Sequence, residues 1–218
     1  MDFIAIDFET ANETSISACE IGVAVVRNFR ITESRGWLIR PPELRFDPYN
    51  TQLHGIAAEH VRLEPNFREL WNELQFYLQG EMLVAHNASF DLQVLRSLLR
   101  YYRIAFEPVH YICSLQLARK AWGQRTRSFS LDALSRFLGI SLQHHRAQSD
   151  AEACARITQA VFQEFQLVRP EEIEERLHLI PGRLSVAQLT YPQYKYARPT
   201  GLGATAKPVR KSQHWKRR

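Results

Sequence analysis

The sequence predicts an α/β fold: a three-stranded antiparallel meander leads into parallel strands, and helices flank the resulting mixed sheet. Two observations predict this. Three β-like runs stand at the start of the chain, and helical and strand-like segments alternate after them. The length agrees, because 218 residues can bury a sizeable core and favour one domain with an appendage over two full domains.

The three β-like runs cover residues 2–8, 19–26 and 31–39. Only residues 27–30 separate the second run from the third, which is about the length of a hairpin turn. We therefore expect an antiparallel pairing there, and the two prolines at 41 and 42 end the third run.

The first run carries two acids near its end, in Ile4-Ala5-Ile6-Asp7-Phe8-Glu9-Thr10. Side chains alternate along a strand, so Asp7 and Glu9 share one face while the isoleucines face the other way. Two like charges on one face repel each other. A bound cation is one way to relieve that repulsion.

Helical spacing of apolar residues and turn residues at the ends mark the later elements. Helices are predicted at about 66–78, from a cap at Ser89, at 115–122, at 130–138 and from a cap at Ser149, and short buried strands at 82–85 and 109–113. Ser149 and Glu152 fit a capping box, which would place Asp150 in the first turn of the last helix.

Charge divides the chain into two parts. Residues 1–181 carry 19 Lys and Arg against 23 Asp and Glu, whereas residues 182–218 carry 9 basic and no acidic residues. We expect a folded domain over residues 1–169 and a flexible basic extension over 170–218 that contains Pro and Gly. An acid-free segment suits a polyanion such as nucleic acid; docking of a protein partner and no role at all are the alternatives.

Cysteine usage and hydropathy indicate the cellular environment in which the protein is expected. Cys19, Cys113 and Cys154 are odd in number and widely spaced, which is typical of reduced thiols and argues against a disulfide framework or a zinc cluster. No run approaches the roughly 20 apolar residues that span a bilayer, and the N-terminus carries an acid where a signal peptide carries a base. These observations predict a cytoplasmic protein with no membrane partner.

Two further segments each place an aspartate near the start of a predicted helix. Asp91 follows a predicted buried strand within His86-Asn87-Ala88-Ser89-Phe90-Asp91, and Asp150 opens the last helix within His145-Arg146-Ala147-Gln148-Ser149-Asp150. With Asp7-Phe8-Glu9-Thr10, they match in order and local spacing three motifs of a known family. The chain resembles the DEDDh superfamily of 3′–5′ exonucleases, which includes the proofreading subunit of bacterial DNA polymerase III, RNase T and oligoribonuclease.

The resemblance implies a ribonuclease H-like fold and metal-dependent hydrolysis of nucleotides from a 3′ end. It implies two divalent ions, Mg²⁺ or Mn²⁺, about 4 Å apart. The residues it assigns are Asp7, Glu9, Asp91 and Asp150 as catalytic metal ligands, His145 as the general base, and Thr10, Phe90, Asn87 and His54 as contacts to the terminal nucleotide. One segment departs from the pattern: 111–115, Tyr-Ile-Cys-Ser-Leu, stands where many relatives have an Asp-Thr pair.

Several alternatives stay open at this point. Each acid alone could be a solvated strand end or a first-turn residue favoured by the helix dipole, although neither explains the joint pattern. The partner is expected to be nucleic acid with a free 3′ end, with single-stranded DNA favoured over RNA. A non-catalytic nucleic-acid-binding or polymerase-docking module is the rival of another class. Association with a DNA polymerase, a homodimer or a free-standing enzyme all fit the sequence.

Overall fold

The computed structural model describes residues 1–195, and the last 23 residues of the sequence lie outside it. The strands are β1 (Phe3–Thr10), β2 (Ala18–Arg27), β3 (Arg30–Leu38), β4 (Leu83–Ala85), β5 (Val109–Cys113), β6 (Leu179–Ile180), β7 (Gly182–Leu184), β8 (Leu189–Thr190) and β9 (Gln193–Tyr194). Seven of them form one sheet in the order β3-β2-β1-β4-β5-β7-β8, and β6 pairs with β9. β1, β4 and β5 are parallel, and the other pairs of the sheet are antiparallel. The predicted mixed α/β sheet is confirmed.

Helices cover both faces of this sheet. They are α1 (Pro48–His54), α2 (Ala58–Val61), α3 (Phe67–Leu78), α4 (Ser89–Tyr101), α5 (Ser114–Trp122), α6 (Leu131–Leu138), α7 (Ala147–Glu164) and α8 (Glu171–Leu177). Ile4, Ile6 and Phe8 of β1 pack in a core with α3 and α4, whereas Phe3 and Ala5 pack in a second core with α5 and α7. The predicted alternation of β1 is thus observed, and it leaves the acids on the α7 side. Within residues 1–195, no helix has the length and apolar character to span a bilayer.

The hairpin between β2 and β3 forms where the sequence predicts it. Its two central residues, Asn28 and Phe29, both have positive φ, at 49° and 60°. Such a turn matches the right-handed twist of the paired strands. The meander brings β2 alongside β1, with Gly22 opposite Asp7 and Glu20 opposite Glu9.

Two of the predicted helix starts are wrong. Ala88, not Ser89, is the residue before α4, and α7 begins at Ala147, two residues ahead of the predicted cap. Ser149 instead accepts a hydrogen bond from the N–H of Gln143 at 2.8 Å, so its hydroxyl joins the preceding loop to the helix. Asp150 still lies in the first turn of α7, as predicted.

The first part of the basic extension is packed against the domain, contrary to the flexible character predicted for residues 170–218. β7 pairs with β5 and β8 pairs with β7, so the extension adds two strands to the sheet. Leu177, Leu179 and Leu184 are fully buried. The predicted boundary at residue 169 therefore precedes elements that complete the core, while residues 196–218 lie outside the described part of the chain.

Candidate active site

One cleft of about 780 Å³ collects all nine residues that the sequence nominates. It lies at the end of β1, beside the start of α4 and the loop before α7. The nominated residues among those lining it are Asp7, Glu9, Thr10, His54, Asn87, Phe90, Asp91, His145 and Asp150. Its size is that of a small-ligand site.

The first three acids are fixed by β1 and α4. Asp7 and Glu9 project from the same face of β1, and Asp91 stands in the first turn of α4. The N–H of Phe8 donates to Oδ1 of Asp91 at 3.0 Å, which ties the start of α4 directly to β1. Glu9 and Asp91 are buried, at 9% and 2% exposure.

Asp150 reaches the same place because α7 begins very close to β2. A Cβ added to Gly22 would lie 1.9 Å from the carbonyl oxygen of Ala147, so only glycine permits this approach. Gly22 is the strand partner of Asp7. One carboxylate oxygen each of Asp7, Glu9 and Asp150 then lie within 4.8 Å of one another.

This arrangement disfavours ionised carboxylates. Burial, reinforced by the charges of Asp150, Glu20 and Asp91, raises the pKa of Glu9 to about 8. Burial raises the pKa of Asp91 to about 7, with a smaller contribution from Asp150. Burial and then Asp91 raise the pKa of Asp7 well above its ordinary value. A cation bound among these carboxylates would favour their ionised forms and so displace their protons.

Two adjacent histidines stand beside the acids. The ring atom Nδ1 of His145 lies 3.8 Å from Oε1 of Glu9. The backbone N–H of His145 donates to Oδ2 of Asp150 at 2.9 Å. Nδ1 of His144 lies 3.1 Å from Oδ2 of Asp150. Burial, then His144 and His54, lower the pKa of His145, so its ring is neutral at neutral pH.

The family is decided by comparison with known proteins. The family model RNase_T, an exonuclease, matches residues 4–158. The chain belongs to the RNase_T exonuclease family. A DNA polymerase III of PolC type from Caldanaerobacter subterraneus subsp. tengcongensis is 28% identical over 177 residues, 80% of this chain and 12% of the polymerase. The 3′–5′ exonuclease DinG of Staphylococcus aureus is 26% identical over 213 residues, 96% of this chain and 23% of DinG.

Solved structures agree with this assignment. Exonuclease X in complex with 5′ overhanging duplex DNA superposes with a TM-score of 0.62 at 26% identity, covering 76% of this chain and 94% of that one. The chain spans less than a quarter of the length of the PolC-type polymerase and of DinG. Sequence and structure together therefore place the chain in the RNase_T exonuclease family and give it a fold shared with exonuclease X.

His86, in the second motif of this RNase_T family chain, has a structural role. Its Nε2–H donates to the carbonyl of Phe129 at 2.9 Å, so Nδ1 is left to accept from the hydroxyl of Ser114 at 2.8 Å. Burial lowers the pKa of His86 to about 4. Ser114 belongs to the segment that departs from the family pattern, and its hydroxyl links α5 to the end of β4.

His54 is engaged in a similar way at the end of β1. Its Nδ1 accepts from the N–H of Ile56 at 3.0 Å, which leaves Nε2–H to donate to the carbonyl of Thr10 at 3.2 Å. The Asn50 amide donates to the same carbonyl at 2.8 Å. The structure brings His54 into the cleft wall, where both ring nitrogens already have partners.

The residues that line the cleft include exposed apolar side chains and exposed arginines. Phe90, Tyr49 and Leu53 are exposed by 46%, 71% and 42%, and all three line the cleft. Arg119 and Arg127 line it as well and are also exposed. Asn87 is exposed and adopts a left-handed conformation, with φ of 61°. Among these residues, the sequence nominates Phe90 and Asn87 and does not point to Tyr49, Arg119 or Arg127.

Glu20 is a further residue of the site that the sequence analysis does not nominate. This residue is buried on β2 opposite Glu9, accepts from the N–H of Ala147 at 3.1 Å, and contacts Arg146 at 3.4 Å. It therefore anchors the segment between His145 and α7. A buried acid within an otherwise apolar strand run, Ala18–Arg27, is the signal that could have identified it.

Proposed function

We propose that the chain is a metal-dependent enzyme that hydrolyses nucleotides from the 3′ end of DNA. One observation carries the proposal: Asp7 and Glu9 from β1, Asp91 from α4 and Asp150 from α7 converge in one cleft that His145 also lines. A module that only binds nucleic acid has no need of this complete set.

The four carboxylates fit Mg²⁺ or Mn²⁺. Hard divalent ions prefer oxygen ligands, and their charge would offset the cost of burying the ionised forms of Glu9 and Asp91, whose pKa values burial raises. We assign Asp7, Glu9, Asp91 and Asp150 as ligands of two ions. When bound, such ions lower the pKa of a coordinated water and stabilise the charge of the leaving oxygen.

His145 and Glu9 act on the attacking water in this proposal. The 3.8 Å between Nδ1 of His145 and Oε1 of Glu9 is too long for a direct hydrogen bond, and a water can contact both atoms. Glu9 orients that water, and the His145 ring accepts its proton. A neutral imidazole is able to do this near pH 7.

The rim of the cleft suits the terminal nucleotide. Phe90, Tyr49 and Leu53 offer exposed apolar surface on which a base can stack irrespective of its identity. Thr10 and Asn87 offer polar contacts to the sugar. His54 fixes the position of Thr10 by donating a hydrogen bond to its carbonyl. Arg119 and Arg127 supply positive charge for backbone phosphates.

DNA is the proposed substrate for two reasons. Exonuclease X, at 26% identity, has been solved with duplex DNA, and the PolC-type relative is a DNA polymerase. The PolC-type relative also favours association of this chain with a DNA polymerase. The homodimer stays a prediction. RNA remains the comparison substrate in the test.

The experiment presents 5′-labelled single-stranded DNA and RNA of one sequence to the purified chain with Mg²⁺ or Mn²⁺. We expect stepwise shortening of the DNA from its 3′ end, and no reaction when a chelator replaces the metal. Faster shortening of RNA would reassign the substrate. No shortening of either strand with either ion would overturn the enzymatic proposal.

A further inference from the structure

His144 is an additional histidine that the exonuclease motif does not require. The motif uses His145, five residues before Asp150, and His144 stands next to it in this sequence. The two rings stack with centroids 3.8 Å apart and an interplanar angle of 17°. Both side chains are partly exposed, by 38% and 29%, so the pair is open to ions from solution.

The ring of His144 and the backbone N–H of His145 both contact Asp150, and the stacked rings must turn for both imidazole lone pairs to face one ion. Nδ1 of His144 lies 3.1 Å and 3.3 Å from the two carboxylate oxygens. One donor atom each of His144, His145 and Asp150 lie within 4.8 Å of one another. Ligands of a tetrahedral zinc ion, with bonds of about 2.0–2.1 Å, are separated by roughly 3.3–3.4 Å. The His144–Asp150 pair already has this spacing.

The geometry points to a second, distinct metal site, in which His144, His145 and Asp150 bind a transition-metal ion such as Zn²⁺. Two imidazoles and one carboxylate form a donor set that suits zinc, whereas Mg²⁺ is better matched by oxygen ligands and Mn²⁺ binds nitrogen donors more weakly than zinc does. Solvent can occupy the fourth position. Within residues 1–195, the other group of three convergent acids and histidines consists of Asp7, Glu9 and Asp150, which contains no histidine.

The two sites share Asp150, so they compete. Zinc at the second site removes Asp150 from the carboxylate cluster and occupies the ring of His145. The consequence is inhibition of hydrolysis by zinc at a fixed concentration of Mg²⁺. This consequence rests on the proposed exonuclease activity, whereas the binding of zinc itself does not.

Zinc binding is tested directly on the full chain without nucleic acid. The metal-free protein competes with a chromophoric chelator for Zn²⁺, and its absorption with Co²⁺ reports a low-coordinate nitrogen and oxygen site. His144→Gln removes one of three protein ligands and is expected to weaken Zn²⁺ binding at least about tenfold. His110→Gln, at an exposed histidine of β5 outside the cleft, is the matched control and is expected to leave Zn²⁺ affinity unchanged.

Mn²⁺ binding separates this site from a general supporting role of His144. We expect His144→Gln to change Mn²⁺ affinity far less than Zn²⁺ affinity. Equal weakening of both ions would show that His144 only supports Asp150, and unchanged Zn²⁺ affinity would show that zinc binds elsewhere. Either result overturns the proposal, and neither depends on whether the chain degrades DNA.

The activity measurement follows for the inhibitory consequence. Each protein is compared with its own zinc-free rate on 5′-labelled DNA at constant Mg²⁺. The concentration of Zn²⁺ that halves the rate is expected to rise at least about tenfold in His144→Gln, in parallel with the loss of binding. An unchanged half-inhibitory concentration alongside weakened binding would refute the competitive role.

Discussion

Nδ1 of His145 faces Oε1 of Glu9 at 3.8 Å, across the gap between the loop before α7 and the end of β1. Two elements fix the pair, because the N–H of His145 donates to Asp150 while Glu9 is held within β1. The relationship places a proton acceptor beside a carboxylate in the cleft. Replacement of His145 therefore tests the hydrolytic step separately from the binding of substrate.

His145→Gln is expected to lower kcat by about 10²–10⁴-fold while KM for DNA changes little, because glutamine cannot accept the proton of the attacking water. Steady-state rates on 5′-labelled DNA at saturating Mg²⁺ measure this. His110→Gln, outside the cleft, serves as the control. A kcat within a few-fold of the unmodified chain would remove His145 from the chemical step.

Stability of the metal-free protein is expected to fall as the pH rises from 5.5 to 8.5. The folded-state pKa values of Glu9, about 8, and Asp91, about 7, exceed those of unfolded carboxyls, so the folded state binds more protons across this window. Unfolding then becomes more favourable with increasing pH. Thermal unfolding in chelator measures the slope, and added Mn²⁺ is expected to reduce it.

Glu9→Gln provides the control for that slope, since it removes one of the carboxyl groups whose pKa is raised in the folded state. The variant is expected to show a smaller decrease in Tm between pH 5.5 and 8.5 than the unmodified chain. A variant with an identical pH dependence would show that the carboxylate cluster does not set it.

Gly22→Ala is expected to destabilise the fold by about 1–3 kcal/mol and to impair activity. The new methyl group would meet the backbone of Ala147 at 1.9 Å and push α7, with Asp150, away from Asp7. Gly36→Ala is the matched control, because its methyl group would lie 3.2 Å from the side chain of Gln148. Chemical denaturation compares the two, and equal stabilities would contradict the close approach.

Truncation separates the packed and the basic parts of the extension. A chain ending at Lys195 keeps β7 and β8 but loses seven Lys and Arg, so it is expected to retain its Tm and to bind DNA with a shallower salt dependence. A chain ending at Arg169 loses buried Leu177, Leu179 and Leu184, and is expected to unfold at a lower temperature. Binding measured from low to high salt reports the first effect. An unchanged slope would exclude residues 196–218 from DNA contact.

Local patterns were sufficient to predict much of the fold. Alternation in β1 and helical spacing in α3 depend on nearby residues, and the helices predicted at about 66–78 and at 130–138 form, with Asn66 and Ser130 as their N-caps. Ser89 and Ser149 were misjudged because a serine near a helix start can bond elsewhere, as Ser149 does with Gln143. Pairing of β7 with β5 joins residues about 70 apart, and three-residue strands carry little pattern of their own.

The site was predictable to the extent that motifs are local. Each acid sits at a strand end or in a first turn, and the resemblance carried by the motifs nominated nine of the residues that line the cleft. Glu20 and Ser114 escaped notice because their roles arise from contacts across 127 and 28 residues of chain. The roles of the nominated residues stay predictions until variants are measured.

The most direct test of the central claim compares the rate of 3′-nucleotide release by the unmodified chain, Asp7→Asn and Asp132→Asn in Mg²⁺. Asp132 is the control, because it is an aspartate of α6 that pairs with Arg136 and lies outside the cleft. Since loss of an outer partner of a metal ligand already costs about 10–100-fold, Asp7→Asn is expected to lose at least about 100-fold while Asp132→Asn retains full rate. Full activity of Asp7→Asn would contradict the assignment of the carboxylate cluster as the metal-dependent catalytic site.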